Sequence, residues 1–598
     1  MYTYNPWNKF YKEPFGAVCN RESMTIRFTA SGNVAVKLIM HRDFGARHEF
    51  ELERISEDTF ETTVRFDHGR ALYFYHFEIL EASDWGSRRL YYSASPMGGE
   101  GHVTEDLNQV ADFQLTVFDG NDETPDWYRN SVFYQIFPDR FFNGNLDGRI
   151  NSPKPNSFLY AQTSDDPYYV KDPSGEIARW DFYGGNLRGI IAKIPYLKEL
   201  GVNALYLNPI FLSDSNHRYD TVDYLRIDPM LGTEEDFRHL ISELHDNDMH
   251  IILDGVFSHV GDDSIYFNRF GKFGEHEGAA QNQSSPYYEW FKFSNWPSDY
   301  KSWWGFKNMP ELDKDNPSFQ DFIYGAKDSV LSKWESFNID GWRLDVADEL
   351  PDDFIRGIRA NLTAENNQKI LIGEVWEDAS NKVAYGQRRN YALGDALQGV
   401  MNYPLRDLII NYVIGNLKAC DVAYQLMTLR ENYPKSVFYG NLNNIGTHDS
   451  ERIITVVGEA NMDLAIGLMF VMPGVPTIYY GDEAGLTGRK DPENRKYFPW
   501  NDIDNRFYTL YHYWAHERLS SEALKNGEFS IGYIDNCLVV LRHTAEETTL
   551  FIANPEENAL TISPEKITML RTQEFTSCLS DLDDITIPAK SSCFHKIS

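Results

Sequence analysis

Phe337-Asn338-Ile339-Asp340-Gly341-Trp342-Arg343-Leu344-Asp345 is a largely apolar run that ends on charge. That is how a buried parallel strand reads where it opens into a polar cleft. Arg343 and Asp345 are two residues apart, so on a strand their side chains share a side. Three other segments have the same form: Ile251-Ile252-Leu253-Asp254-Gly255-Val256-Phe257-Ser258-His259, Ile370-Leu371-Ile372-Gly373-Glu374, and Asn443-Asn444-Ile445-Gly446-Thr447-His448-Asp449. Four such strands at helix-sized intervals predict one barrel with acids around its C-terminal rim, the end at which barrels carry chemistry.

The neighbouring sequence completes a set of eight strands. Val132-Phe133-Tyr134-Gln135-Ile136 reads as the first, and 204–207 as the second, after a helical stretch over 187–200. The third to eighth are read at 251–256, 339–345, 369–374, 397–401, 443–446 and 476–480. The expected fold class is therefore α/β, a (β/α)8 barrel over residues 123–520. A polar, aromatic-rich excursion over 258–316 is too long for a barrel loop and reads as an inserted subdomain. Residues 1–122 show short alternating runs, such as Met24-Thr25-Ile26-Arg27-Phe28, and predict a β-sandwich. Gly120-Asn121-Asp122-Glu123-Thr124-Pro125 reads as the linker, and residues 521–598 as a C-terminal antiparallel β domain.

A net charge of −33 over 598 residues argues against nucleic acid and anionic membrane as partners and suits a neutral substrate. The five cysteines have no metal-type spacing and read as reduced thiols of a cytoplasmic protein. The start, Met1-Tyr2-Thr3-Tyr4-Asn5-Pro6-Trp7, has no basic stretch followed by an apolar core, and no run reaches membrane-spanning length.

Converging carboxylates are what glycosidic bond cleavage needs. A retaining glycosidase pairs an ionised nucleophile with a protonated acid. Arg343 beside Asp345 would hold that aspartate ionised. Glu374, at the end of an apolar strand and near other acids, suits the proton donor. His448-Asp449 adds a third carboxylate and a neutral donor. Any one of these alone reads as a strand-end salt bridge.

In order, the four segments resemble the four conserved stretches of the alpha-amylase family of glycoside hydrolases. Asn216-His217-Arg218-Tyr219-Asp220-Thr221 and Tyr479-Tyr480-Gly481-Asp482-Glu483 resemble that family's second-strand loop and eighth-strand end. The resemblance covers residues 130–500. It implies Asp345 as nucleophile, Glu374 as general acid/base and Asp449 as the acid that stabilises the distorted sugar. It implies sugar binding by Arg343, His259 and His448, with Tyr219 as the stacking platform, His217 in the same loop and Asp254 holding Arg343. The nearest group is the neopullulanase, cyclomaltodextrinase and maltogenic amylase group, on an N-terminal β domain that resembles the group's extra starch-binding-like module and on three motifs. These are Tyr134-Gln135-Ile136-Phe137-Pro138-Asp139-Arg140-Phe141, Met309-Pro310-Glu311-Leu312-Asp313 and Asp491-Pro492-Glu493-Asn494-Arg495. In the last, Asp491 and Arg495 match sugar-contacting positions. Trp376 and the pair Trp303-Trp304 offer aromatic faces that suit either sugar stacking or a core.

The resemblance implies α-glucan oligosaccharides as substrates: cyclomaltodextrins, maltooligosaccharides and pullulan, cut at α-1,4 and also α-1,6 bonds, with transfer to sugar acceptors. The alternatives are a glucosidase releasing single glucose units and a non-catalytic sugar-binding protein. It also implies a homodimer. No cofactor is needed for the chemistry. Asn143, Asn145, Asp147, Gly184 and Asn186 resemble the group's calcium loop, and all-oxygen ligands suit calcium; a pair of Asn-Gly turns reads equally well there. Ser258, Asp348 and Glu377 depart from the family pattern, where Asn, Asn and His are usual.

Overall fold

The computed structural model describes residues 1–597 apart from 68, 84–85, 121–123, 365 and 572–573. The middle of the expected linker, residues 121–123, lies outside the described residues.

Eight parallel strands form the central sheet: β1 (Phe133–Ile136), β2 (Ala204–Leu207), β3 (His250–Gly255), β4 (Gly341–Leu344), β5 (Ile370–Gly373), β6 (Gly399–Val400), β7 (Leu442–Asn444) and β8 (Val475–Tyr479). The order runs β6-β5-β4-β3-β2-β1-β8-β7, and a Met401–Leu442 bridge closes the barrel between β6 and β7. These strands are buried on both faces, as their continuous apolar runs require. The period-2 alternation sorts the side chains. Tyr206, Ile252, Ile370 and Ile372 join one core cluster inside the barrel, while Leu205, Ile251, Leu253 and Leu371 pack outward with the helices. Asp254 is two residues beyond Ile252, and Glu374 two beyond Ile372, so both acids inherit the inward direction at the rim.

Helix α1 (Leu187–Leu200) begins on Asn186, whose side chain accepts from Gly189 N, and ends on Gly201 at φ 91°. Helix α2 (Glu234–Asp246) opens with a capping box of Thr233 and Asp236. The sixth strand is shorter than expected. At Gly399 an added Cβ would sit 2.0 Å from Gly440 O, so only glycine lets these backbones approach. The β5–β6 connection also departs from the (β/α) pattern. It holds no helix among the described residues, only a hairpin of Val383–Ala384 with Gln387–Arg388. The 258–316 excursion carries short turns and one small ladder, Phe293–Asn295 with Asp299–Tyr300. A second excursion, between β1 and α1, escaped the sequence reading because its two small ladders have only two or three residues a side.

Before the barrel, two antiparallel-rich sheets enclose their own core. Met24, Ile26 and Phe28 of Ser23–Ala30 face Val36, Leu38, Tyr75 and Phe77 of the sheet built on Ala71–Ser83. This unit is fastened to the barrel by polar contacts. Trp7 Nε1 donates to Glu431 (2.7 Å), buried Lys12 pairs with the same carboxylate (3.4 Å), and Thr116 donates to Asn432 O (2.6 Å). After the barrel, a five-stranded antiparallel sheet, centred on Cys537–His543, packs around Val539, Leu541, Leu550 and Ile552.

Candidate active site

Arg343, Asp345, Glu374, His259, His448 and Asp449 lie at or within a few residues of the C-terminal ends of barrel strands, while His217, Tyr219, Asp491 and Arg495 come from the longer loops after β2 and β8. All the expected site residues except Arg343 and the calcium-loop residues line one cleft of about 780 Å³; Arg343 lies beneath its floor, fully buried.

The β3–β4 register pairs Asp254 with Arg343. Arg343 Nη1 then bonds Asp254 Oδ1 (2.7 Å) and Asp345 Oδ1 (2.8 Å), while Nη2 bonds Glu374 Oε2 (2.7 Å). The bond to Asp254 was expected; the one to Glu374 was not. One cation is thus divided among three buried acids. Burial pushes the Asp345 carboxyl well above the usual carboxylate range; Arg343 pulls against this, and Glu374 and Asp254 add to the push. Arg343 is therefore not reserved for Asp345: its guanidinium is divided among three carboxylates, and its pull on Asp345 works against burial.

Glu374 is met by three donors rather than an apolar wall. They are Arg343, Val346 N–H (2.9 Å to Oε2) and Trp376 Nε1 (2.9 Å to Oε1). Val346 reaches it by adopting φ 39°, a left-handed conformation that is costly for a β-branched residue. Trp376, 44% exposed, stacks on Tyr403 at 3.9 Å and keeps its indole N–H on the acid.

Tyr219 donates to Asp254 Oδ2 (2.8 Å), and its ring lies parallel to His448, 6° apart, with the hydroxyl 2.7 Å from Nε2. Gln135 Nε2 meets His448 Nδ1 at 2.8 Å, which leaves the imidazole proton on Nε2, facing Tyr219 and Asp449. Burial, with Arg495 and Arg343, keeps His448 well below the usual imidazole value. Burial also takes His217 and His259 down to about 3, so all three imidazoles are neutral donors. His259 Nδ1 meets Ser258 Oγ at 2.8 Å, and its Nε2 has no hydrogen-bond partner among the described residues. Ser258 therefore orients the histidine. Asp449 has about a third of its side chain open to the cleft. Burial raises its carboxyl, a push that water in the cleft partly relieves and that Arg495 and Arg343 oppose. Arg495 bridges Asp449 (3.4 Å) and Asp491 (3.1 Å).

The alpha-amylase catalytic-domain profile matches residues 135–514. The chain belongs to the alpha-amylase family. It is 36% identical over 595 residues to an amylopullulanase of Thermoanaerobacterium saccharolyticum, covering 88% of this chain and 45% of that protein. The chain thus spans less than half the length of such relatives. A cyclomaltodextrinase of Thermoanaerobacter pseudethanolicus is 33% identical, covering 83% and 84% of the two chains. Among solved structures, the cyclic alpha-maltosyl-(1→6)-maltose hydrolase of Arthrobacter globiformis superposes with a TM-score of 0.68 at 29% identity, over 79% of this chain and all of that one.

Two departures from the family pattern are tied together: Lys382 binds Asp348 (3.2 Å) and Glu377. Tyr391 also donates to Asp348 (2.6 Å). The sequence reading missed Gln135, Tyr206, Lys382 and Tyr385, which sit in ordinary strand or loop contexts.

The expected calcium residues gather away from the cleft and do not fit a cation cage as arranged. Asn143 Oδ1 accepts from Asn145 N (3.0 Å) and Asn186 Nδ2 (2.9 Å). Asn186 Oδ1 accepts from Gly144 N (3.1 Å) and Gly189 N (2.9 Å), and Asp147 Oδ1 from Arg149 N (3.1 Å). Asn145 is held through its Nδ2 by Arg149 O (2.6 Å), and Gly184, at φ 87°, donates its N–H to Asp139 Oδ1 (3.0 Å). The oxygens of Asn143, Asn186 and Asp147 already serve N–H donors, and Asp147 is the sole carboxylate of the set, whereas calcium favours several acidic oxygens. This is a hydrogen-bonded turn network.

Proposed function

We propose that this chain is a retaining α-glucan hydrolase that cleaves α-1,4 and also α-1,6 glucosidic bonds in cyclomaltodextrins, maltooligosaccharides and pullulan. The observation that carries the reading is the sharing of Arg343 by Asp345 and Glu374 at 2.8 and 2.7 Å on the floor of the cleft. That sharing favours the close carboxylate spacing of a retaining pair, about 5–5.5 Å, over the wider gap of an inverting one. The relatives' names, cyclomaltodextrinase and amylopullulanase, support the substrate class, and the Arthrobacter hydrolase supports cyclic and 1→6-linked substrates.

In this mechanism Asp345 attacks the anomeric carbon while Glu374 passes a proton to the leaving oxygen. Glu374 holds that proton when substrate is bound, and Asp345 attacks as the carboxylate paired with Arg343 Nη1. A glycosyl ester on Asp345 results. Glu374, now a base, deprotonates water or a sugar hydroxyl, which attacks the same carbon and frees Asp345. Neutral His217, His259 and His448 donate to sugar hydroxyls, Asp449 and Arg495 hold the reacting ring, Asp491 pairs with Arg495, and Tyr219 lies beneath the ring. Asp345→Asn lowers kcat by at least about 10³-fold with an unchanged melting temperature; near-parental turnover would reject the assignment. Chromatography of products from β-cyclodextrin, maltotriose, pullulan and panose decides the substrate. Glucose alone from all four would favour a glucosidase instead.

The five cysteines, all free, suit a reducing cytoplasm. No helix among the described residues is long and apolar enough to cross a membrane. Pairing into a homodimer is part of the proposal, and a solution mass of one chain would remove it.

A further inference from the structure

The cleft has a second neighbour. A cavity of about 690 Å³ adjoins it, and Trp304, Asp348, Glu349, Ala384 and Tyr385 line both. Three of these form a bar between the two spaces. Trp304 Nε1 donates to Glu349 Oε1 (2.9 Å), the Tyr385 hydroxyl donates to the same oxygen, and the two donors are 3.4 Å apart. The parts come from separate segments: the excursion after β3, the turn after β4, and the hairpin that replaces a helix after β5.

Neither ring is held by packing from all sides. Trp304 is 68% exposed and Tyr385 71%. Both sit on left-handed backbone, φ 47° and 51°, each followed by a glycine of positive φ. Tyr385-Gly386 is a two-residue turn with positive φ at both positions, a place where Asn or Gly is ordinarily found. A tyrosine kept there at a steric cost points to a use for its side chain. The base of the hairpin is fixed. Arg388 Nε binds Asp43 (2.7 Å) of the N-terminal sheets, and Arg389 Nε binds Asp352 (2.8 Å). Among the described residues the hydroxyl end of Tyr385 is thus hydrogen-bonded only through the bar, while its backbone is braced from the N-terminal unit.

We propose that Tyr385 is a specificity-determining residue: with Trp304 it closes a clasp on Glu349 that keeps branched α-glucans out of the space beyond, and Asp43 holds the clasp in register through Arg388. A linear chain fits the cleft alone. A chain branched beside the cleaved bond needs room on both sides of the bar. The walls of the far cavity, among them Lys301, Glu311, Lys314 and Arg389, offer polar groups for sugar hydroxyls. This inference rests on the α-glucan reading above.

The test compares kcat/KM for maltotriose with that for a maltotriose carrying a 6-linked maltosyl branch. Tyr385→Ala raises the branched-to-linear ratio at least fivefold, mainly through KM for the branched substrate. Tyr385→Phe, which keeps the ring and loses the hydroxyl, raises it by less and carries the test if the alanine variant does not fold. Asp43→Ala, remote from the cleft, moves the ratio in the same direction by at least twofold. Equal loss on both substrates, or an unchanged ratio, in an enzyme that splits maltotriose overturns the clasp. An unmoved ratio in Asp43→Ala alone overturns the brace. A parent enzyme that splits neither substrate overturns the α-glucan reading and the clasp with it.

Discussion

Arg343 has one charge and three claimants, and that division organises the site. Its pairing with Asp345 was legible because the two residues are two apart on one strand. Its bonds to Asp254 and Glu374 cross to β3 and β5 and depend on register, which no local pattern encodes. His448 was expected to be a neutral donor, whereas neutral imidazoles at 217 and 259 were out of reach, since burial sets them. Burial also acts on Glu483 at the end of β8. Its carboxylate meets Tyr134 (2.5 Å), Tyr196 (3.0 Å) and Gly481 N (2.9 Å), with no cation bonded to it among the described residues, and burial pushes it up to about 7. A folded value above the unfolded one, 4.5, means the fold favours the protonated form. Stability is full below pH about 4 as far as this group is concerned and is lost as pH rises to about 7, by about 3 kcal/mol. In Glu483→Gln the decline in melting temperature between pH 5 and 7.5 should shrink. An identical decline in the variant would assign it elsewhere, with Asp482, pushed to about 6 by burial, the next group to test.

At the scale of elements, barrel strands read well because burial on both faces demands continuous apolar runs. The β5–β6 connection read poorly: nothing in the sequence of residues 374–398 marks a hairpin in place of a helix, and the Tyr385-Gly386 turn lies inside them. The loop around Asn143 shows how one motif supports two structures. Oxygen-rich turns can bind a cation or satisfy backbone N–H groups, and here they do the latter, with Asn186 capping α1. Asn186→Ala should cost about 1–2 kcal/mol, since a lost N-cap leaves Gly189 N–H unpaired. A chelator alone should leave the melting temperature of the parent protein unchanged. A chelator-induced drop as large as that of the variant would restore the calcium reading.

Across the whole molecule, the N-terminal sheets, the barrel and the C-terminal sheet each bury a core, and polar fasteners join the first two. Lys12 is buried against Glu431, which also takes the Trp7 indole N–H. Removing one partner of a buried pair strands the other charge, at about 3–5 kcal/mol. Glu431→Ala should therefore destabilise the protein by several kcal/mol in denaturant unfolding, while Glu431→Ala combined with Lys12→Met recovers much of the loss. Equal destabilisation in both would show that Lys12 finds water instead. The chain's own order of apolar and charged residues determined that there is a barrel and that its strand ends carry Asp345, Glu374 and Asp449, because strand period and burial are local properties. Only the tertiary structure decided that Glu374 also shares Arg343, which side chains divide the cleft and what the Asn143 loop does. Those depend on register, on close approach between loops distant in sequence, and on the low dielectric that folding creates around charge.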